Sequence, residues 1–213
     1  STQVAPCDFV AAAAQSAASL AAAGRTAPSA HAHLLESEDP ERDSAAAAAW
    51  GIPGLIDPGI EPESWTSRSG VAAIAERLNL LAARGAAFGI GVGYHNHAFE
   101  TRPRIDGQPA FELLAELLDP AVQLEVDTYW AEVGGVRAAS VLGRLGDRVP
   151  FLRIKDGPLT DVDADQLPAG SGGMDMPAVL AAAPRALRVI EFDDYRGDPF
   201  DGIAASLAYL RTQ

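Results

Sequence analysis

The sequence has one cysteine, Cys7, and one lysine, Lys155. A single cysteine excludes an internal disulfide framework and a zinc site built on thiolates. It fits a reducing compartment, so a cytoplasmic protein is expected. Lys155 stands against 15 arginines, 16 basic residues less the one lysine. Long apolar runs are also missing. None reaches the roughly 20 residues a transmembrane helix needs. The N-terminus shows no basic stretch followed by an apolar core, so no signal peptide is expected. Positive charge is scarce: 16 Lys+Arg less 29 Asp+Glu gives −13. Nucleic-acid backbones and anionic membranes need a basic surface, so neither is expected as a partner. There is no Gly-rich dinucleotide fingerprint after the first predicted strand, and no P-loop, which argues against a Rossmann cofactor site.

What is present is an ordinary globular composition, 48% apolar and 21% charged over 213 residues, read as a single domain over 1–213. Short apolar runs alternate with Ala/Leu-rich helical stretches. Helices are predicted over Val10–Ala23, Glu41–Trp50, Ser69–Arg84, Phe111–Leu118, Val136–Leu145, Met176–Ala183 and Pro199–Leu210. Strands are predicted over Thr26–His33, Gly51–Ile56, Phe88–His95, Val122–Asp127, Val149–Lys155 and Leu187–Phe192. Such alternation implies a parallel sheet with helical crossovers. The strands read as nearly continuous apolar runs, as strands covered on both faces do.

Ionisable residues gather where these strands end. His31 and His33 close one. His95, Asn96 and His97 close another, Glu125 and Asp127 a third, and Arg153, Lys155 and Asp156 a fourth. Glu191, Asp193 and Asp194 close the last. In a parallel barrel the C-terminal strand ends form one face, and active sites are assembled there from several strands. Residues two apart share a strand face, so Arg153 and Lys155 point the same way, as do His95 and His97.

These segments carry a resemblance. Gly93-Tyr94-His95-Asn96-His97-Ala98-Phe99-Glu100 resembles the GYHNHxFE signature of sugar isomerase/epimerase-like proteins in the xylose isomerase-like TIM-barrel superfamily. Leu124–Trp130 followed by Gly134-Gly135, Asp147–Gly157, and Val189–Asp193 are similar to the family's later strands, in the same order from about residue 26 onward. The resemblance implies a (β/α) TIM barrel with a divalent metal (Mn, Mg, Co or Zn) at its C-terminal face. The family's ligands run Glu, Asp, His, Glu. Residue by residue they fall on His95, Asp127, Arg153 and Glu191. Arginine keeps its proton and offers no lone pair. The implied metal set is therefore His95, Asp127 and Glu191, with Glu100 or His97 as substitutes. A guanidinium at position 153 could equally neutralise Asp127 and Glu191 with no metal. Gln3-Val4-Ala5-Pro6 is similar to the family's second strand, so the first strand and helix are read as missing. About seven strands are expected, and an open edge that favours a homo-oligomer.

The resemblance also implies roles. Glu191, Asp127, Lys155 and His97 are the candidate catalytic groups for moving a proton at a carbon next to a carbonyl. His31, His33, Trp130 and Arg153 are candidate binders of a small sugar or polyol, and Trp130 is expected in a loop. The leading reading is an isomerase or epimerase, or a related lyase. The alternative is a non-catalytic or metal-free relative that binds a sugar-like ligand or serves as a subunit. The superfamily's abasic-site endonucleases are a poor match for a charge of −13.

Overall fold

A computed structural model describes residues 18–213. Its central sheet is six-stranded and wholly parallel. In chain order the strands are β1 (Ala30–His31), β2 (Gly54–Asp57) and β3 (Gly91–His95), then, after a small hairpin of β4 (Arg104–Ile105) and β5 (Gln108–Pro109), β6 (Gln123–Asp127), β7 (Phe151–Ile154) and β8 (Leu187–Ile190). The sheet order is β1-β2-β3-β6-β7-β8. It curls into a partial TIM barrel with helices alternating along its outside. The expected fold class is therefore observed. Among the described residues β1 and β8 are the two edges. Gln3–Pro6, read as a further strand, and most of the predicted helix Val10–Ala23 lie outside the described residues. The last turn of that helix, residues 18–22, is present, and Gly24 ends it at φ +66°.

Helices follow the sheet strands over Pro40–Ala49, Arg68–Ala86, Ala110–Leu117, Ala138–Leu145, Met176–Ala182 and Pro199–Leu210. Several start at a side-chain cap that is visible in the sequence. Asp39, Ser67, Asp175 and Asp198 each accept a backbone N–H of the first turn. Between helices and sheet lies the apolar core. It includes Leu55, Val92, Leu124, Val126, Leu152 and Ile154 from the strands, and Leu78, Leu114, Leu142 and Val179 from the helices. Alternation then sends the other side chains of each strand toward the barrel interior.

Several strands are shorter than the apolar runs suggest. The expected strand Thr26–His33 reduces to Ala30–His31, and Phe88–His95 begins only at Gly91. Phe88 and Gly89 instead finish the preceding helix: Gly89 has φ +72°, and the Ile90 N–H bonds back to the Gly85 carbonyl. The glycines of β3 have a packing reason. A Cβ at Gly93 would lie 2.6 Å from Ile56 Cδ1 and 2.8 Å from the Gln123 carbonyl oxygen. The hairpin β4–β5 was not anticipated. Its turn is Asp106-Gly107, both at positive φ, which is the two-residue turn that matches strand twist.

Two buried carboxylates fix loops around the barrel mouth. Asp156 accepts the N–H groups of Gly157, Gly170 and Met174 at 2.8, 2.9 and 3.1 Å, which ties the 170–174 loop to the end of β7. Asp57, at the end of β2, accepts from Leu35 N at 2.8 Å and Gly59 N at 3.0 Å. Burial outweighs these bonds and pushes the Asp57 carboxyl up to about 6. The folded state then holds this proton more tightly than the unfolded chain does. Asp57 should therefore weaken the fold as pH rises from about 4 to about 6, by up to about 3 kcal/mol. Chemical denaturation of the wild type and of Asp57→Asn across pH 4–7 checks this. The stability difference between them should shift against the wild type as pH rises, and a constant difference would contradict it.

Candidate functional site

The inner-facing residues at the strand ends meet in two linked clusters. The deeper one is centred on Glu125, which is fully buried. Register brings it there: β3 pairs with β6 so that His95 faces Glu125, and β6 pairs with β7 so that Asp127 faces Arg153. Glu125 Oε1 lies 2.6 Å from His31 Nε2, 2.8 Å from Arg153 Nε and 3.4 Å from His95 Nδ1. Arg153 also reaches His31 Nε2 through Nη2 at 2.7 Å and Glu191 Oε1 through Nη1 at 2.9 Å. One nitrogen of His31 thus sits between a carboxylate, which needs a donor, and a guanidinium, which needs an acceptor. It cannot serve both.

Lys155 is the centre of the second cluster. Its side chain is 1% exposed, and Nζ lies 2.9 Å from Asp127 Oδ2, 3.0 Å from Glu191 Oε2 and 2.8 Å from both oxygens of Asp193. Asp193 is held in turn by Trp130 Nε1 at 2.9 Å and Gln166 Nε2 at 2.7 Å. Asp127 caps a short helix, Thr128–Val133, by accepting Trp130 N, and its backbone is paired with the Asn96 side chain. Trp130 is thus helical and buried, where a loop was expected. Its ring stands 5.9 Å from the ammonium.

Charge state follows from these contacts. Burial pushes the Glu125 carboxyl up, but the His31 bond, the nearby His95 ring and the Arg153 charge outweigh it and hold it well below the usual carboxylate range. Burial lowers His95 more than Glu125 raises it, so that imidazole is neutral. His97 goes the other way: burial lowers it, but its contact with Glu100 prevails and raises it. Lys155 would be lowered by burial, yet Asp127, Glu191 and Asp193 raise it above its ordinary value. Asp193 is lowered: burial acts against this, and Lys155, Gln166 and Trp130 overcome it.

The residues singled out in the sequence are thus distributed as follows. Arg153 and Lys155 share a face and both point inward. Glu191 bridges them. His95 and His97 are neighbours, with ring centroids 4.8 Å apart. The implied metal set divides, with His95 on Glu125 and both Asp127 and Glu191 on Lys155. Glu100 is committed elsewhere, accepting from Tyr94 Oη at 3.0 Å and His97 N at 2.7 Å. His33 is exposed, and its charge acts on Asp57. Sequence reasoning placed Glu125 and Asp193 among the ionisable strand-end residues but assigned neither a catalytic, binding or metal role. Their signal was the same two-residue spacing, Glu125 with Asp127 and Glu191 with Asp193.

His31, His95 and Glu125 offer three ligand-type atoms within 4.8 Å of one another. His95 Nδ1 and Glu125 Oε2 are buried without a hydrogen-bond partner, which fits a cation. The Arg153 guanidinium, however, already bonds His31 Nε2 and Glu125 Oε1. A metal ion that used either of these atoms would compete with the guanidinium, whereas Glu125 Oε2 is left open.

No family model matches the chain, and no curated protein matches it. Solved structures do. A sugar phosphate isomerase/epimerase from Parabacteroides distasonis superposes with a TM-score of 0.75 at 22% identity, over 93% of this chain and 75% of its own. The chain has the fold of the xylose isomerase-like TIM barrels. The 3-keto-D-glucoside 4-epimerase of E. coli shares that fold with a TM-score of 0.67 at 19% identity, over 96% of this chain and 86% of its own. The IolI protein, solved with a zinc atom, matches with a TM-score of 0.60 at 15% identity, over 82% and 67%. Among the described residues, no helix of this xylose isomerase-like barrel is long and apolar enough to cross a membrane.

Lys155 is what allows Asp127, Glu191 and Asp193 to lie together. The Lys155→Met substitution leaves them without their shared cation and should cost about 3–5 kcal/mol of stability at neutral pH. The deficit should shrink as pH falls and the carboxylates take up protons. Urea titrations at pH 7 and pH 4 measure it. An equal deficit at both would contradict this electrostatic account.

Proposed function

We propose that the protein is a sugar or polyol isomerase or epimerase that moves a proton at a carbon next to a carbonyl. The observation that carries this reading is Glu191. Its carboxylate is partly open to the mouth, with one oxygen on Arg153 and the other on Lys155. A base is thereby placed beside two cations at the barrel's C-terminal face. In the proposed step a Glu191 oxygen takes the proton from the substrate carbon. The C–H electron pair becomes the C=C bond of an enediolate, and the charge on the former carbonyl oxygen is stabilised by Lys155 and Arg153. Return of a proton to the same carbon from the other side epimerises it; return to the neighbouring carbon, with the hydroxyl proton of the first carbon passing to the former carbonyl oxygen, isomerises the sugar. His97, held toward its charged form by Glu100 and opening on the mouth, is the proposed donor. Asp127, fully buried, positions Lys155 and Trp130.

His31, His95 and Glu125 are the residues that would hold a divalent ion, and such an ion would polarise a substrate oxygen. In this reading it binds only when Arg153 moves off them. The fold relatives support the reading by kind, one being named a sugar phosphate isomerase/epimerase and another a 3-keto-D-glucoside 4-epimerase. Self-association through the edges at β1 and β8 belongs to the same proposal.

The test is exchange with solvent. In deuterium oxide, a panel of aldoses and ketoses followed by NMR should show label entering beside the carbonyl of at least one sugar. Glu191→Gln should slow this by about 10²–10⁴-fold with the fold retained. No exchange with any sugar, or exchange unaffected by the substitution, would sink the proposal. Manganese titration by calorimetry addresses the ion. Binding should be weak in the wild type and tighter in Arg153→His, which removes a competing charge and restores a ligand. Tight binding by the wild type with no gain from the substitution would show that Arg153 does not block the site.

A further inference from the structure

Resting on the proposed reaction, we infer that the site takes an uncharged polyhydroxy carbonyl compound and discriminates against its phosphate ester.

The first ground is the charge within the site. Beside the His97–Glu100 pair, whose charges cancel, Glu125, Asp127, Glu191 and Asp193 contribute four negative charges, and Arg153 and Lys155 two positive ones, so the sum is −4 + 2 = −2. A divalent ion held by His31, His95 and Glu125 would bring it only to zero. A phosphate carrying nearly two negative charges therefore finds no net attraction in either state. Both cations are already bound to carboxylates: Lys155 to three and Arg153 to two.

The second ground is independent of the site's interior. TIM barrels frequently hold phosphate at the loops after their last two strands, on free backbone N–H groups at a helix N-terminus. Here the helices that follow β7 and β8 begin at Asp175 and Asp198. The Asp198 carboxylate accepts the N–H groups of Phe200 at 2.8 Å and Asp201 at 3.3 Å, and Asp175 accepts that of Ala178 at 3.3 Å. Asp201 adds a further negative charge in the first turn. The N-terminus of the helix after β8, where an ester phosphate could sit, is thus already taken by the Asp198 carboxylate.

The third ground is the rim. Arg102 on the loop after β3 is paired with Asp161 at 2.7 Å, and Arg196 on the loop after β8 with Asp165 at 2.6 Å. These arginines lie on the face a ligand must cross, and each is already neutralised. With an overall charge of −13, approach of an anion is disfavoured as well.

Calorimetric titration of the full chain with paired probes tests this. The pairs are D-fructose with D-fructose 6-phosphate, D-xylulose with D-xylulose 5-phosphate, and D-glucose with D-glucose 6-phosphate. At least one uncharged member should bind, and its phosphate ester should bind at least about tenfold more weakly at low salt. Because the discrimination is electrostatic, it should narrow as salt rises from about 20 mM to about 500 mM. An ester that binds as well as its parent sugar, or better, overturns the inference and leaves the proposed reaction standing. Discrimination that salt does not change also overturns it, since that would mark a steric limit. Failure of every uncharged probe overturns the proposed function and this inference with it.

Discussion

The Arg153 guanidinium, held between Glu125, Glu191 and His31, is the interaction on which the arrangement of the barrel's open face depends. Glu125 is fully buried, and an isolated buried carboxylate would be too costly to keep. Its partners His31, His95 and Arg153 come from three different strands, so its neutralisation also ties β1, β3 and β7 to β6. Lys155, two residues along β7, repeats the device one layer higher for Asp127, Glu191 and Asp193. A pair of cations on a single strand thereby sets the positions of four carboxylates. Removing one partner from such a network leaves a charge stranded, and for that reason these side chains bear on stability as well as on chemistry.

The same network shapes what the site can do. Groups at the floor, Glu125, His95, Asp127 and Lys155, are closed off from solvent, whereas Glu191, Asp193, His31 and His97 open on the mouth. Rigid strand ends hold the floor, and loops tied down by Asp57 and Asp156 frame the mouth. Under the proposed function, a small polar molecule would enter such a site by replacing contacts among the site's own charged groups. In the proposed reaction the substrate's oxygens take over part of what Arg153 and Lys155 now give to Glu191.

Much of this was legible in the sequence, for identifiable reasons. The helix Pro199–Leu210 appears with the predicted bounds because a capping Asp198 and a proline at the first helical position mark its start without ambiguity. Parallel alternation and the inward pairing of Arg153 with Lys155 follow from period and spacing alone. What spacing does not carry is register between strands. Only the pairing of β3 with β6 shows that His95 faces Glu125, and this moves the cluster of ligand-type atoms to His31, His95 and Glu125 from the set implied by resemblance. Strand starts were overextended because Phe88 is apolar whether it ends a helix or begins a strand. Trp130 was placed in a loop because the Asp127 cap that starts its short helix doubles as a site residue.

The account's central claim is that the guanidinium of Arg153 stands where a metal ion would bind. Anomalous diffraction from manganese-soaked crystals of the wild type and of Arg153→His tests it most directly. The predicted result is a manganese peak between His31, His95 and Glu125 in the substituted protein. In the wild type there should be either no peak there or a peak only with the guanidinium moved off Glu125. An ion at those three residues with Arg153 still bonded to Glu125 and His31 would contradict the claim.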